Sequence, residues 1–276
     1  MLYTVAVEGR QTQLANADTR TSMKDPTERF SDRVENYVKY RPGYPEAIIS
    51  LLESECGLLP GSAVADIGCG TGNLARLFLA HGNPVFGVEP NRAMREAGQR
   101  QLAGYPGFTS VAGTAEATTL PDGCAHFVTA GQAFHWFDAA RARDEFRRIL
   151  KPGGWLVLVW NERQTESSPF MQAYEQLMQT YAIDYREVNH KRFGQPEIEA
   201  LVGTKLSRAT FDHAQDLDFQ SLRGRILSSS YAPLAGHPNH EPMLDAIARE
   251  FAAHQVGGAV TFRYRTEVYY CQPGTR

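Results

Sequence analysis

The segment Val64-Ala65-Asp66-Ile67-Gly68-Cys69-Gly70-Thr71-Gly72-Asn73 constrains this chain more than any other. A short apolar run ends in an acid. Three glycines follow at alternate positions, and then Leu74, Leu77 and Phe78 recur at helical spacing. Glycine lacks the Cβ that would block a close backbone approach, so a strand can pass through such a turn directly into a helix. The N–H groups at the helix start then face whatever occupies the turn. A unit of this kind needs a crossover helix and a parallel neighbour, so β and α segments should alternate beyond it.

They do. Ala63–Ile67 reads as a first strand, and the helix after it ends near His81-Gly82. Pro84–Val88 is a second strand; Met94, Ala97 and Leu102 suit the next helix; Thr109–Val111 is a weak third strand. Ala125–Ala130 is a fourth, after the turn Pro121-Asp122-Gly123. Phe137, Phe146 and Ile149 line a helix that stops before Lys151-Pro152-Gly153-Gly154. Trp155–Trp160 is apolar almost throughout, as in a strand buried on both faces. The pattern implies a parallel, doubly wound sheet.

After Asn161 the pattern changes. Phe170, Tyr174, Leu177, Met178 and Tyr181 form a helical stripe. A strand is expected near 209–213, a helix over 218–228, and another helix at Leu244, Ile247 and Phe251. Val260, Phe262, Tyr264, Thr266, Val268 and Tyr270 then alternate with Arg263, Arg265 and Glu267, which suits an antiparallel edge strand with one wetter face. Residues 1–24 are polar and aperiodic and read as a disordered leader. Met23 directly precedes the first patterned segment, and one reading starts natural translation there; N-terminal sequencing that finds Met1 or Leu2 on the native protein rejects it.

The chain has 276 residues and a formal net charge of −3, so it carries no global basic field for nucleic acid or anionic membrane. No apolar stretch approaches the roughly 20 residues of a membrane helix. Cys56, Cys69, Cys124 and Cys271 are scattered without a CxxC pair, which gives no metal spacing and suits a reduced, cytoplasmic protein.

The glycine turn has a partner. Glu89 ends the second strand 21 residues after Gly68, where an acid can accept hydrogen bonds from both ribose hydroxyls and would repel a 2′-phosphate. The dinucleotide fingerprint G-x-G-x-x-G fits poorly, because Asn73 occupies its third glycine position. Asp66 can favour a cation or orient the turn.

Together these residues resemble the class I S-adenosylmethionine-dependent methyltransferases. Asp66-Ile67-Gly68-Cys69-Gly70-Thr71-Gly72 is similar to their first motif, Glu89 to the ribose acid, Gly113-Thr114-Ala115-Glu116 with Leu120-Pro121 to the adenine-side segment, and Leu150-Lys151-Pro152-Gly153-Gly154 to the turn before the fifth strand. Three further stretches resemble the type 11 branch, which includes trans-aconitate-type small-molecule enzymes: Tyr37–Pro45, Gly131–Phe137 and Trp160-Asn161. One residue departs from the pattern. Thr114 stands where many members carry an Asp, and a hydroxyl accepts from an exocyclic amine more weakly than a carboxylate.

The resemblance implies an α/β fold: a Rossmann-like, doubly wound, seven-stranded sheet, mostly parallel with an antiparallel last strand, plus a mainly helical cap. Residues 25–44 would form a lid, 45–162 the S-adenosylmethionine-binding core, 163–258 the helical cap and acceptor region with its returning strand, and 259–276 the last strand of the core sheet. Tyr37, Arg41, Asp66, Gly68, Gly70, Gly72, Glu89, Pro90, Thr114, Ala115, Glu116 and Gln132 are the expected cofactor-binding residues, with Arg41 a candidate for the cofactor's α-carboxylate.

Phe134 and Trp136 could pack on cofactor or acceptor. His135 is the candidate base for a hydroxyl acceptor, or else a wall residue. Tyr231, Arg223, Arg225 and the hydroxyls of Ser228–Tyr231 could hold an anionic or polar acceptor. Asp212-His213 with His237 and His240 lacks a third ligand at metal spacing, so no metal is expected. The expected activity is methyl transfer from S-adenosylmethionine to a small molecule, at a carboxylate or hydroxyl, by a monomer or homodimer. The alternatives are a catalytically inactive S-adenosylmethionine-binding regulatory protein and, disfavoured by the glycine spacing, an NAD-dependent oxidoreductase.

Overall fold

The computed structural model describes residues 33–185 and 194–274. The leader over 1–24, the start at Met23 and residues 25–32 of the expected lid lie outside them. In chain order the elements are α1 (Val34–Tyr40), α2 (Ala47–Cys56), β1 (Val64–Ile67), α3 (Asn73–His81), β2 (Val85–Val88), α4 (Arg92–Gln101), β3 (Phe108–Val111), β4 (Ala125–Gly131), α5 (Ala139–Ile149), β5 (Leu150–Arg163), α6 (Pro169–Tyr181), α7 (Gln195–Val202), β6 (Ser207–Leu217), α8 (Phe219–Leu227), α9 (His240–His254) and β7 (Val260–Cys271).

These strands form one sheet in the order β3-β2-β1-β4-β5-β7-β6. The first five pair in parallel. β7 runs antiparallel to both of its neighbours. This is the mostly parallel, doubly wound α/β sheet expected from the sequence. The chain winds outward from β1 to β3 and then returns to β4 on the other side of β1. The connections at the carboxyl ends of β1 and β4 therefore diverge and leave a crevice.

Burial explains the strand patterns. Leu156, Leu158 and Trp160 of β5 enter the core on one face with Ile67, Phe146 and Ile149. Val157 and Val159 enter the core on the other face with Leu52, Leu74 and Phe78. A strand covered on both sides has no polar face to alternate. A third cluster joins α6, α8 and α9 to β7, with Tyr174 edge-on to Phe262 at 4.7 Å. Asn91, Asp138, Ser168 and Asp218 cap α4, α5, α6 and α8 through their side chains, each cap contributing about 1 kcal/mol.

Two expectations change. The C-terminal strand is not an edge: β6 pairs with β7 from Ser207↔Tyr270 to Leu217↔Val260, and β6 is itself the edge. Alternation reports that one face of a strand is wet; it carries no information about whether the flanks are paired. The polar residues of β7 face solvent and pair across the strands, Arg265 Nε donating to Asp212 Oδ1 at 3.0 Å and Arg208 Nη2 to Glu267 Oε1 at 2.5 Å. The second change concerns Lys151–Gly154, which lies within β5. Leu150 and Trp155 both pair with β4, and the residues between them bow out, with Gly153 at φ 75°.

α1 rests on α8 rather than on the sheet. The Tyr40 ring lies on the Gly224 backbone, where any Cβ would overlap it. Arg33 donates to Ser229 O and, at 2.7 Å, to Ala232 O. Arg41 Nη2 donates to Ser228 O at 3.0 Å. The segment before the core is thereby fastened to the cap above the crevice.

Candidate functional site

β1 leads into Gly68, Gly70 and Gly72 with φ of 67°, 58° and 88°, a region side-chain-bearing residues rarely adopt. Space is equally decisive at Gly68, where a Cβ would lie 2.6 Å from the Ala133 Cβ. Gly68 N and Cys69 N both donate to Val88 O, at 2.9 and 3.1 Å, which ties the turn to β2. Gly72 precedes α3 without a side-chain cap of its own, and the Ala75 N–H in the first turn of α3 is directed instead at the Asp66 carboxyl. Gln132, just after β4, holds φ 56°, unusual for a residue other than glycine. It is fixed by its N–H to Val159 O and its Nε2 to Asn161 O, both at 2.9 Å. Backbone strain of this kind concentrates where a side chain must be aimed at a ligand.

Glu89 follows β2 and is 9% exposed. Its Oε2 accepts from Gly70 N and its Oε1 from Asn91 N, each at 2.9 Å. Burial raises its pKa, opposed by those two N–H groups and by Arg95. Each oxygen retains a lone pair, which suits two vicinal hydroxyls. Glu89 closes one end of an outer cavity of about 150 Å³ bordered by Gly68, Gly70, Pro90, Thr114, Gln132 and Trp136.

Tyr37, Gly68, Gly131 and Gln132 border this cavity and also an inner one of about 40 Å³. On one wall of the inner cavity stands Asp66, 1% exposed. Its Oδ1 accepts from Thr129 Oγ1 at 2.9 Å, while Oδ2 makes no hydrogen bond of good geometry. Burial pushes the Asp66 carboxyl up to about 6, against the pull of the Thr129 hydroxyl, the Cys69 thiol and the Ala75 N–H. Thr71 Oγ1, on the same wall, is also buried without a partner. Arg41, with its guanidinium 4.8 Å from the Tyr37 ring centre, and Arg225 line the same cavity. A carboxyl and two guanidiniums on one cavity suit a group that carries both charges.

Residues 65–158 match the family model described as Methyltransferase domain. An uncharacterised methyltransferase of Mycobacterium tuberculosis is 38% identical over 144 residues, 51% of this chain and 56% of that protein. One from Schizosaccharomyces pombe is 30% identical over 151 residues, 54% of this chain and 59% of that protein. The chain thus spans little more than half the length of the curated relatives it matches. A provisionally assigned type II methyltransferase from Anaeromyxobacter dehalogenans shares the fold, with a TM-score of 0.60 at 19% identity over 84% of this chain and 98% of that one. Residues 65–158 are a methyltransferase domain.

The resemblance to the class I, type 11 methyltransferases therefore holds for this core. Around the methyltransferase domain the structure sorts the candidate residues. Glu89, Pro90, Thr114, Ala115, Glu116, Gly70 and Trp136 border the outer cavity, Arg41 and Asp66 the inner one, and Tyr37, Gly68 and Gln132 both. Gly72 borders neither; its role is to pass the chain over Leu102, whose side chain fills the space a Cβ would need. Glu116 Oε1 is engaged by the Asp138 N–H at 2.8 Å.

Three candidates are displaced. Phe134 is 1% exposed and packs edge-on against Phe137 and Trp160 at 5.9 and 6.3 Å, so it belongs to the core. His135 borders neither cavity: it lies on the short 3₁₀ turn Phe134–Trp136, with its ring 4.8 Å from that of Trp136, which does line the outer cavity. Tyr231 also borders neither; its hydroxyl accepts from Arg163 Nη1 at 2.5 Å, and its ring meets Tyr185 edge-on at 4.9 Å. Burial opposes ionisation of Tyr231, yet the guanidiniums of Arg163, Arg225 and Arg41 hold its phenol down at about 8.

The two candidate cap arginines separate, Arg223 outward to solvent and Arg225 inward to the cavity. His213 stacks on Tyr264 at 5.1 Å, and no cluster fit for a metal occurs among the described residues. The sequence reading did not assign Tyr44, Thr71 or Tyr264 to the site. Thr71 and Tyr44 lie within the glycine-turn motif and the Tyr37–Pro45 stretch, but nothing in local spacing singles out these side chains or Tyr264, which three distant segments carry to one place.

Proposed function

We propose that this chain transfers a methyl group from S-adenosylmethionine to a small-molecule acceptor, at a carboxylate or hydroxyl oxygen. The observation that carries the reading is the buried Asp66 carboxyl, whose Oδ2 lacks a good hydrogen bond, beside a glycine turn that also leads to Glu89. Burial still raises the Asp66 pKa against the hydrogen bonds from Thr129, Cys69 and Ala75, so its ionised form is short of positive charge, which a cation would supply. The α-ammonium of S-adenosylmethionine would do so, and the ribose hydroxyls would reach Glu89. NAD offers no ammonium for Asp66.

When bound, S-adenosylmethionine supplies an electrophilic methyl on a sulfonium; the methyl–sulfur bond breaks as an acceptor lone pair bonds to carbon, and a neutral thioether leaves. The protein's part is binding and alignment. Asp66 and Arg41 would hold the two charges of the amino-acid end, and Gly68 and Gln132 would fix the backbone beside it. Thr114, Ala115 and Glu116 would line the adenine side, while Trp136 and Tyr37 would keep water out. Fixed alignment of reacting atoms can supply much of about 7–11 kcal/mol. Positive charge at sulfur diminishes on the way to the transition state, so a site ringed by carboxylates would favour the ground state instead. The inner wall carries one carboxyl against two guanidiniums, in keeping with that requirement. His135 borders neither cavity, and a carboxylate acceptor carries no proton for it to take; a hydroxyl acceptor would pass its proton to solvent.

Calorimetry tests the proposal. S-adenosylmethionine and S-adenosylhomocysteine should bind and NAD should not. Mass detection of methylated products across a library of small acids and alcohols should then reveal turnover. Binding of NAD, or of neither sulfur nucleoside, would overturn the reading.

A further inference from the structure

The methyl-transfer reading leaves one charge of the inner cavity without a role. Arg225 is 3% exposed and lines that cavity from the cap helix α8. Its Nε donates to the Tyr264 hydroxyl at 3.0 Å and its Nη1 to Ser229 Oγ at 3.3 Å, both uncharged groups. The Phe262 and Tyr264 ring centres lie 5.5 and 5.9 Å from its guanidinium carbon. No carboxylate among the described residues pairs with it. Arg163 nearby shows the contrast: it has Glu175 at 3.6 Å. The phenols of Tyr264, Tyr174 and Tyr231 outweigh the cost of burial and raise the Arg225 pKa, but none of them is a carboxylate, so a ligand's anion would supply the full counter-charge.

Arg41 is a second guanidinium on the same cavity, and its Nε has no partner. Burial and the neighbouring Arg225 charge lower the Arg41 pKa, and the single carboxylate of S-adenosylmethionine would balance only one of these two positive charges. Position along the sheet decides which. The crevice follows the carboxyl ends of the strands: Glu89 after β2, the glycine turn after β1, Gln132 after β4, Asn161 in β5, and Tyr264 opposite Arg163 in β7. Arg225 is anchored to β7, three strand spacings from β1, or about 14 Å. Arg41 instead stacks on Tyr37, which borders the nucleoside side as well. An extended ligand that starts at Glu89 reaches the Asp66–Arg41 region first and leaves Arg225 facing what lies beyond.

We infer that Arg225 binds an anionic group on the methyl acceptor, so that the acceptors of this chain are compact anions of the carboxylic acid class. Arg41 is left to the cofactor's carboxylate. The inference rests on the methyl-transfer reading and adds to it the acceptor class and the residue that selects it. The neutral anchors of Arg225 keep its outer N–H groups directed at the cavity, where a carboxylate can accept two parallel bonds.

The test is a titration of the full-length protein saturated with S-adenosylhomocysteine. Acetate, malonate, succinate and benzoate are compared with their matched amides. At least one acid should bind at least about 30-fold more tightly than its amide. Arg225→Met should remove that preference, and Arg225→Lys should restore part of it. The affinity ratio of S-adenosylhomocysteine to methylthioadenosine, which lacks the amino-acid end, should be the same in Arg225→Met as in the wild type.

If Arg225→Met melts early, Arg225→Lys alone gives the answer, since it keeps the charge and loses the planar fork. A drop in acid affinity of at least about 10-fold then supports the inference, and unchanged affinity overturns it. Equal binding of acids and amides, or no acid bound, overturns it. So does selective loss of S-adenosylhomocysteine affinity in Arg225→Met, which would give Arg225 to the cofactor. Failure of the wild type to bind S-adenosylhomocysteine overturns the methyl-transfer reading instead; the acid-to-amide comparison, repeated without nucleoside, is judged separately.

Discussion

The outer and inner cavities share the Gly68 turn but are built by different means. The outer cavity is assembled from loops that follow successive parallel strands: Gly68–Gly70 after β1, Glu89–Asn91 after β2, Thr114–Glu116 after β3 and Gln132–Phe137 after β4. The inner cavity draws Tyr37–Tyr44 from before the core, Asp66–Leu74 from its start, Asn161 from β5, Arg225 from the cap and Tyr264 from the last strand. The first is a product of topology, because every parallel strand ends at the same edge. The second depends on packing between parts far apart in the chain. Local substitutions should therefore damage the outer cavity in ways a motif predicts, whereas the inner one should respond through charge.

The largest effect is expected at the turn common to both. Gly68→Ala forces a side chain into the left-handed region and against the Ala133 Cβ, 2.6 Å away. It should lower stability by about 2–4 kcal/mol and abolish nucleoside binding, read by denaturant unfolding and calorimetry. Retention of binding would show that the turn is not a shared wall.

Asp66→Asn separates the two cavities. Affinity for S-adenosylhomocysteine should fall about 10–100-fold while methylthioadenosine, which has no ammonium, binds nearly as before. Stability should move the other way. A carboxyl whose folded pKa is raised binds its proton more tightly in the folded state, so the ligand-free protein loses stability as pH rises from the unfolded value to about 6. Asn keeps the Thr129 hydrogen bond without the buried charge, and should gain about 1–3 kcal/mol at neutral pH. In the wild type an ammonium favours the ionised form, so S-adenosylhomocysteine affinity should fall as pH drops through about 6, and this dependence should vanish in Asp66→Asn. A pH-independent affinity in the wild type would remove the ammonium from Asp66.

Glu89→Gln tests the outer cavity alone. It weakens acceptance from vicinal hydroxyls and should reduce the affinity of both nucleosides by the same factor, about 10-fold. Unequal losses would mean that Glu89 also senses the amino-acid end. The smallest effect is expected at His135→Ala, whose side chain borders neither cavity; turnover should stay within about twofold, inside the small range typical of substitutions away from a site. A loss of turnover with unchanged cofactor affinity would bring back a base at this position.

Most of the outer cavity was legible before any coordinates. Its residues lie immediately after strands, and strand ends are visible as apolar runs that stop at Gly, Glu or Thr. Phe134, His135 and Trp136 could not be told apart this way. A single 3₁₀ turn gives three adjacent rings three settings: Phe134 in the core, Trp136 on the cavity wall, and His135 against Trp136 without lining the cavity. Likewise Arg223 and Arg225 look equivalent in sequence, and only the seating of α8 under α1 buries one and exposes the other. The supposed edge strand failed for a related reason: period-two alternation encodes which face is wet, whereas strand order is set by where β6 finds a partner.

By itself, the sequence determined the sheet type, the glycine turn with its acid, and hence the nucleoside end of the site. Those features depend on backbone conformation and local periodicity, which neighbouring residues carry. Only the tertiary structure decided that Asp66, Arg41 and Arg225 line one small cavity, since their separation in the chain bears no relation to their separation in space. The burial that gives these charges their strength exists only once the lid, the core and the cap have packed together.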